Sequence, residues 1–130
     1  MIKIFKLITK CLLTAGLLLT TGVLMSEAKQ TIDPNAQNYT KIKAAHILVD
    51  TEKQASGLKN RIEGGEDFAK IAKQFSKCPS GQRGGDLGYF GRGQMVPEFE
   101  TAAFNLPKNA ISDPVKTDFG WHIIKVTDKI

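Results

Sequence analysis

The chain is poor in cysteine, with only Cys11 and Cys78 among 130 residues. Cys11 stands inside a lysine-flanked apolar stretch at the N-terminus, so the rest of the chain carries one thiol and cannot close an internal disulfide. The fold must therefore rest on its core. An excess of one charge is also missing: 18 Lys and Arg against 13 Asp and Glu give +5, with bases interleaved among acids, as in Lys59, Arg61, Glu63 and Glu66, Asp67, Lys70. Such a mixed-sign, solvated surface argues against a nucleic-acid partner. The uncharged run CLLTAGLLLTTGVLM is fifteen residues long, short of the roughly 20 that span a bilayer. Neither G-x-G-x-x-G nor G-x-x-x-x-G-K-[ST] occurs among the glycines between 81 and 93, which excludes the usual phosphate cradles. One cysteine and two histidines, His46 and His122, make no metal-ligand spacing. No metal and no cofactor is expected.

What is present begins with an export signal. Lys3, Lys6 and Lys10 precede the apolar run, and Ser26-Glu27-Ala28 places small residues where a signal peptidase reads the chain. Residues 1 to 28 are read as a signal peptide, with an uncleaved anchor as the rival; either puts the remainder outside the cytoplasm, periplasmic or secreted. No cysteine closes the run, so a lipid anchor is not supported. About 102 residues remain of the 130, enough for one small domain with a net charge near +3. Residues 29 to 40 are polar, with Asp33-Pro34-Asn35 in the middle, and read as a flexible leader to a domain over 41 to 130.

Within that domain, KIKAAHILV over Lys41–Val49 suits a strand stopped by a helix cap at Asp50-Thr51. Ala55, Leu58 and Ile62 then recur at helical spacing until Gly64-Gly65. Phe68, Ile71, Ala72 and Phe75 form the apolar face of a second helix. A short strand is predicted over 87 to 90, a helix opening at Pro97 with Phe99, Ala103 and Leu106 on one side, and two closing strands over 113 to 117 and 120 to 127 around the Asp118-Phe119-Gly120 corner. This order, without regular βαβ alternation, indicates an α+β domain with a small antiparallel sheet.

The chemistry concentrates in SKCPSGQRGGDLGYFGRGQMVPEFE, residues 76 to 100, which holds six glycines. By residue type, Cys78 with His46 or His122 could furnish a nucleophile and its base. Equally, Cys78 could be a small buried filler and each histidine a satisfied strand residue. Residue types do not choose between these.

The wider pattern does. AAHILV (44 to 49), DFAKIAKQFS (67 to 76), CPSGQRGGDLGYFGRGQMVPEFE (78 to 100) and FGWHIIKV (119 to 126) stand in the order of the parvulin family of peptidyl-prolyl cis-trans isomerases, which the chain resembles from about Lys43 to Thr127. The resemblance implies a four-stranded antiparallel sheet surrounded by about four short helices. It implies that His46 and His122 lie side by side beneath the active site, with Thr117 beside them and Cys78 facing the peptide bond, as the catalytic set. Leu87, Met95 and Phe99 match the apolar wall that receives the proline ring, and Phe119 matches a further pocket position. The implied activity is rotation of X-Pro bonds in proline-containing polypeptides, with unfolded exported proteins as the expected clients, by a monomer; the alternative is a catalytically weak chaperone or peptide-binding module. Asp50-Thr51-Glu52-Lys53 offers two acids and no arginine after the first strand, so a phosphate before proline is not expected to be required.

Overall fold

The computed structural model describes residues 31 to 130; the export signal expected over 1 to 28 lies outside the described residues. Strand β1 (Lys41–Val49) leads into helices α1 (Glu52–Glu63) and α2 (Phe68–Phe75). Strand β2 (Asp86–Gly91), helix α3 (Pro97–Asn105), and strands β3 (Val115–Thr117) and β4 (Gly120–Lys129) follow. The four strands form one antiparallel sheet in the order β2-β1-β4-β3. Among the described residues three α-helices and two 3-10 turns, Ala36–Asn38 and Pro79–Arg83, stand where about four short helices were expected.

Local chemistry sets the boundaries. Thr51 caps α1 with a capping box: its Oγ1 accepts from the Gln54 amide at 3.2 Å, and its own amide donates to Gln54 Oε1 at 3.1 Å. Asp67 caps α2 by accepting the Lys70 amide at 3.1 Å. Pro97 opens α3 at a position where its missing N–H costs nothing.

Alternation along β1 and β4 sends side chains to two covered faces. Ile42, Ala44, Ile124 and Val126 pack with Phe99, Ala103, Phe104 and Leu106 under α3. Ile47, Val49 and Ile123 pack on the other face with Ala55, Leu58, Phe68, Ile71 and Ala72 of α1 and α2. At about 25 cal/mol per Å² of apolar surface, each such buried Ile or Phe contributes roughly 2 to 3 kcal/mol against the entropy of ordering the chain.

Two expectations are corrected here. Phe75 is 39% exposed rather than core; it ends α2 and is shielded by the Arg61 guanidinium 5.1 Å from its ring centre. The polar segment before β1 is also not a free leader over its described part. The Asp33 amide donates to the Asn105 carbonyl at 2.7 Å, Ala36 is buried, and Arg92 Nη2 donates to the Ala36 carbonyl at 2.9 Å. The Asp33 carboxylate pairs with Lys129 Nζ, which also donates to the Phe104 carbonyl at 3.1 Å.

Candidate active site

The site is built where an apolar row of the sheet gives way to polar side chains. On the α3 face, Ile42 and Ala44 of β1 and Ile124 and Val126 of β4 are apolar, with Ala44 paired to Val126. One step nearer the C-terminal end of β1 the same face presents His46, and His122 lies opposite Leu48, diagonal to it across the ladder. His46 Nδ1 and His122 Nδ1 are 2.9 Å apart. Their centroids are 5.1 Å apart with planes 17° from parallel, which is the separation of two rings meeting nitrogen to nitrogen in nearly one plane. The pair is therefore joined edge to edge. Phe99 stands across it at 82° to both rings, 5.6 Å from His46 and 5.3 Å from His122.

The outer nitrogens are satisfied as well. His122 Nε2 lies 2.7 Å from Thr117 Oγ1, and His46 Nε2 lies 3.1 Å from Ser80 Oγ. Thr117 Oγ1 also accepts the Phe119 amide at 3.1 Å. Both histidines, Thr117 and Ser80 are buried. Burial holds both imidazoles well below their ordinary range, to about 4 in each case, and for His46 the neighbouring His122 adds to the effect. At neutral pH both rings are uncharged.

Above the pair opens a cleft of about 580 Å³. Of the eight residues singled out in the sequence, seven line it: His46, Cys78, Leu87, Met95, Phe99, Phe119 and His122. Thr117 sits behind His122 as its hydrogen-bond partner. Phe119 is 70% exposed at the mouth, while Phe99 is 3% exposed and belongs as much to the core as to the cleft. Leu48, Lys77, Pro79, Gln94 and Val96 complete the lining. Lys77 is paired with Asp50.

The glycine loop is held against β1 by backbone contacts. Gly84 and Gly85 have φ of +70° and +83°, and the His46 amide donates to the Gly85 carbonyl at 2.9 Å. Asp86 Oδ1 accepts the Gly88 amide at 2.9 Å, closing the turn that presents Leu87 to the cleft. On the opposite side, Ser76 Oγ accepts both the Leu48 amide at 3.1 Å and the Cys78 amide at 3.3 Å, so Cys78 enters the site tied to β1. The loop thus frames a cleft.

Ser80 was not foreseen. It is one hydroxyl in a loop rich in small residues, and its partner His46 is 34 positions away in the chain. Only its place two residues after Cys78 hinted at it. Among the described residues no group of three or more His, Cys, Asp or Glu side chains could hold a metal ion.

Comparison with known proteins agrees with this geometry. A family model of the PPIC-type PPIase (rotamase) domain matches residues 26–128. The foldase protein PrsA of Geobacillus sp. (strain WCH70) is 60% identical over 95 residues, covering 72% of this chain and 34% of that protein. The parvulin-like PPIase of Rickettsia bellii (strain RML369-C) is 54% identical over 92 residues, covering 68% of this chain and 32% of that protein. Among solved structures, PrsA from Bacillus anthracis matches with a TM-score of 0.69 and 46% identity over 75% of this chain and 46% of that one. NmPin, the parvuline of Nitrosopumilus maritimus, matches with a TM-score of 0.63 and 44% identity over 68% of this chain and 96% of that one. The chain spans about a third of the length of the curated relatives it matches and nearly all of NmPin. With the four-stranded sheet and the paired histidines under an apolar cleft, the chain belongs to the parvulin family of PPIC-type peptidyl-prolyl cis-trans isomerase domains.

Proposed function

We propose that this protein rotates X-Pro bonds in unfolded or partly folded polypeptides outside the cytoplasm, without requiring a phosphate before the proline. The observation that carries the reading is an apolar cleft of about 580 Å³ floored by two buried, uncharged imidazoles. The planar amide is held by resonance that separates charge between oxygen and nitrogen, and twisting it over a barrier of ~20 kcal/mol removes that separation. A cleft walled by Leu87, Met95, Val96 and Phe99 solvates the polar planar state poorly and the twisted state less so. That difference is what accelerates. A ten-thousandfold gain requires about 5.5 kcal/mol, more than one small ring supplies by differential burial, so fixed polar groups must position the flanking peptide. In this reading the histidine pair is a rigid floor. Being uncharged and hydrogen-bonded on all four nitrogens, it holds the site in one shape without passing a proton to the substrate.

A phosphorylated side chain would find little to bind. The cation at the cleft mouth, Lys77, is already paired with Asp50, and Glu52 lies beside them in sequence. Export through the signal read over residues 1 to 28 would place the protein with secreted clients, whose prolyl bonds otherwise relax over tens of seconds.

The test is prolyl turnover by the purified protein on short X-Pro peptides, beside a Leu87→Ala, Met95→Ala variant that opens the wall without cutting into the core as Phe99→Ala would. Turnover in the parent that falls at least tenfold in a folded variant is expected. Peptide binding with no turnover would replace the enzyme with a substrate-holding module. A phosphoserine-proline peptide is expected to turn over no faster than its unphosphorylated counterpart.

A further inference from the structure

Helix α1 carries a glycine for which the folded domain has no use. Gly57 lies in the interior of Glu52–Glu63 with ordinary helical backbone, and a β-carbon added to it would meet nothing within 4 Å. By contrast, β-carbons on Gly84, Gly85 and Gly120 would clash with the rest of the chain. A glycine inside a helix costs stability against alanine, because it gives up the most freedom on ordering.

The open space beside Gly57 belongs to a groove. Gly57 lines a cavity of about 330 Å³ together with Val49 of β1, Leu58 of α1 and Phe75 at the end of α2. Val49 and Leu58 are buried and Phe75 is partly exposed, so an apolar floor reaches the surface there. The groove is continuous with the cleft above the histidines, since Lys77 lines both. Leu48 and Val49 are successive strand residues and point to opposite faces of the sheet, the first into the cleft and the second into the groove. The Lys77 amide donates to the Leu48 carbonyl at 2.8 Å, which fixes Lys77 across the end of β1 between the two openings.

We propose that this groove is a second docking point for the client polypeptide held at its proline in the cleft, and that it receives an apolar side chain of that same polypeptide. An extended chain advances about 3.3 Å per residue, so rounding the end of one sheet layer, about 10 Å, puts that side chain about three or four residues from the proline. A short peptide fills the cleft alone. A longer client engages both openings and gains affinity from the second without any change at the first. This assignment rests on the reading of the cleft as the proline site.

The experiment uses two twelve-residue peptides with one central Ala-Pro, identical except that leucines or serines stand three and four residues to either side of the proline. Their binding to the purified wild-type protein, Gly57→Ala and Gly57→Leu is measured by calorimetry, beside turnover of a four-residue Ala-Pro peptide and thermal denaturation. The wild type is expected to bind the leucine peptide about tenfold more tightly than the serine peptide, the effect of covering part of one leucine. Gly57→Leu, which fills the groove with a good helix former, is expected to abolish that difference while short-peptide turnover stays within about twofold of wild type. Gly57→Ala is expected to melt higher than wild type. Equal binding of the two peptides by the wild type, or a preference kept in folded Gly57→Leu, overturns the groove. A lower melting temperature in Gly57→Ala shows that the fold does use the glycine, and overturns it too. A wild-type dimer that Gly57→Leu dissociates, seen by light scattering, gives the groove to a second copy of the chain instead of the client. If no peptide is turned over at all, the isomerase reading fails while the binding difference still decides the groove.

Discussion

Gly85 presses its backbone against His46 so closely that a β-carbon added there would lie 2.3 Å from the His46 carbonyl oxygen. The same glycine has φ of +83°, which disfavours any other residue, and its carbonyl accepts the His46 amide at 2.9 Å. The loop and the histidine strand are thus set against each other by the absence of a side chain. Gly85→Ala must move the loop away from β1, and with it the turn that ends at Leu87. Loss of about 2 to 4 kcal/mol of stability is expected from strain and the broken backbone pairing together, and turnover should fall along with it. Urea denaturation checks the first and peptide kinetics the second. A stable, fully active Gly85→Ala would mean that the loop does not need this approach.

The buried histidines make stability depend on pH in a defined window. Both are held at about 4, by burial first and, for His46, by its partner second, while in the unfolded chain they titrate near 6.5. Above 6.5 neither state binds the proton and the full contribution is present. As pH falls from 6.5 toward 4 the unfolded chain takes up protons that the folded one refuses, so stability declines; below about 4 the decline from these groups levels off. Denaturation midpoints measured from pH 8 to 4 should show this fall, with a shallower slope in His46→Gln. Turnover, which uses neutral rings, should stay level between pH 6.5 and 8. A midpoint that stays constant across the acid window would contradict the neutral, desolvated pair.

Much of this arrangement was readable from the sequence, and what was missed shares a cause. Strand β1 was legible to the residue because β-branched and apolar side chains fill it and a cap follows at once. The floor and wall of the cleft were legible because His46, Cys78, Leu87, Met95, Phe99 and His122 stand in three of the four recognisable pieces. Ser80, Phe75 and the segment before β1 were not, since each is decided by a partner distant along the chain. Ser80 reads as loop until His46 is placed beside it, and Phe75 reads as helix core until Arg61 is found covering it. Asp33 reads as leader although its partner Lys129 lies 96 positions on.

That last pair carries its own prediction. The Lys129 side chain is only 4% exposed and its ammonium has three acceptors or faces nearby: the Asp33 carboxylate, the Phe104 carbonyl and, at 4.8 Å, the Tyr39 ring. Removing the carboxylate leaves a desolvated cation short of its counter-ion. Asp33→Ala is expected to lower the melting temperature measurably, and Lys129→Met added to it to recover much of the loss, because the methionine fills the same space without a charge. A melting temperature indifferent to Asp33→Ala would return residues 33 to 40 to the status of a loose leader.

Cys78 separates a covalent from a noncovalent site. The thiol lines the cleft, and its backbone opens the 3-10 turn Pro79–Arg83 while its side chain makes no capping hydrogen bond to it. A serine there keeps the turn and the size of the group but is a far weaker nucleophile at neutral pH. Rotation about the amide breaks no bond, so nothing in the proposed reaction needs an intermediate on sulfur. Cys78→Ser should therefore keep turnover within about tenfold of wild type, a change of no more than about 1.4 kcal/mol in the barrier, and Cys78→Ala should behave alike. Kinetics on one X-Pro peptide, with an alkylating probe to follow thiol reactivity, makes the comparison. A loss of a thousandfold in both variants, with fold and peptide binding intact, would require the sulfur itself in the rate-limiting step and would reopen the reading of Cys78 as a nucleophile with His46 or His122 as its base.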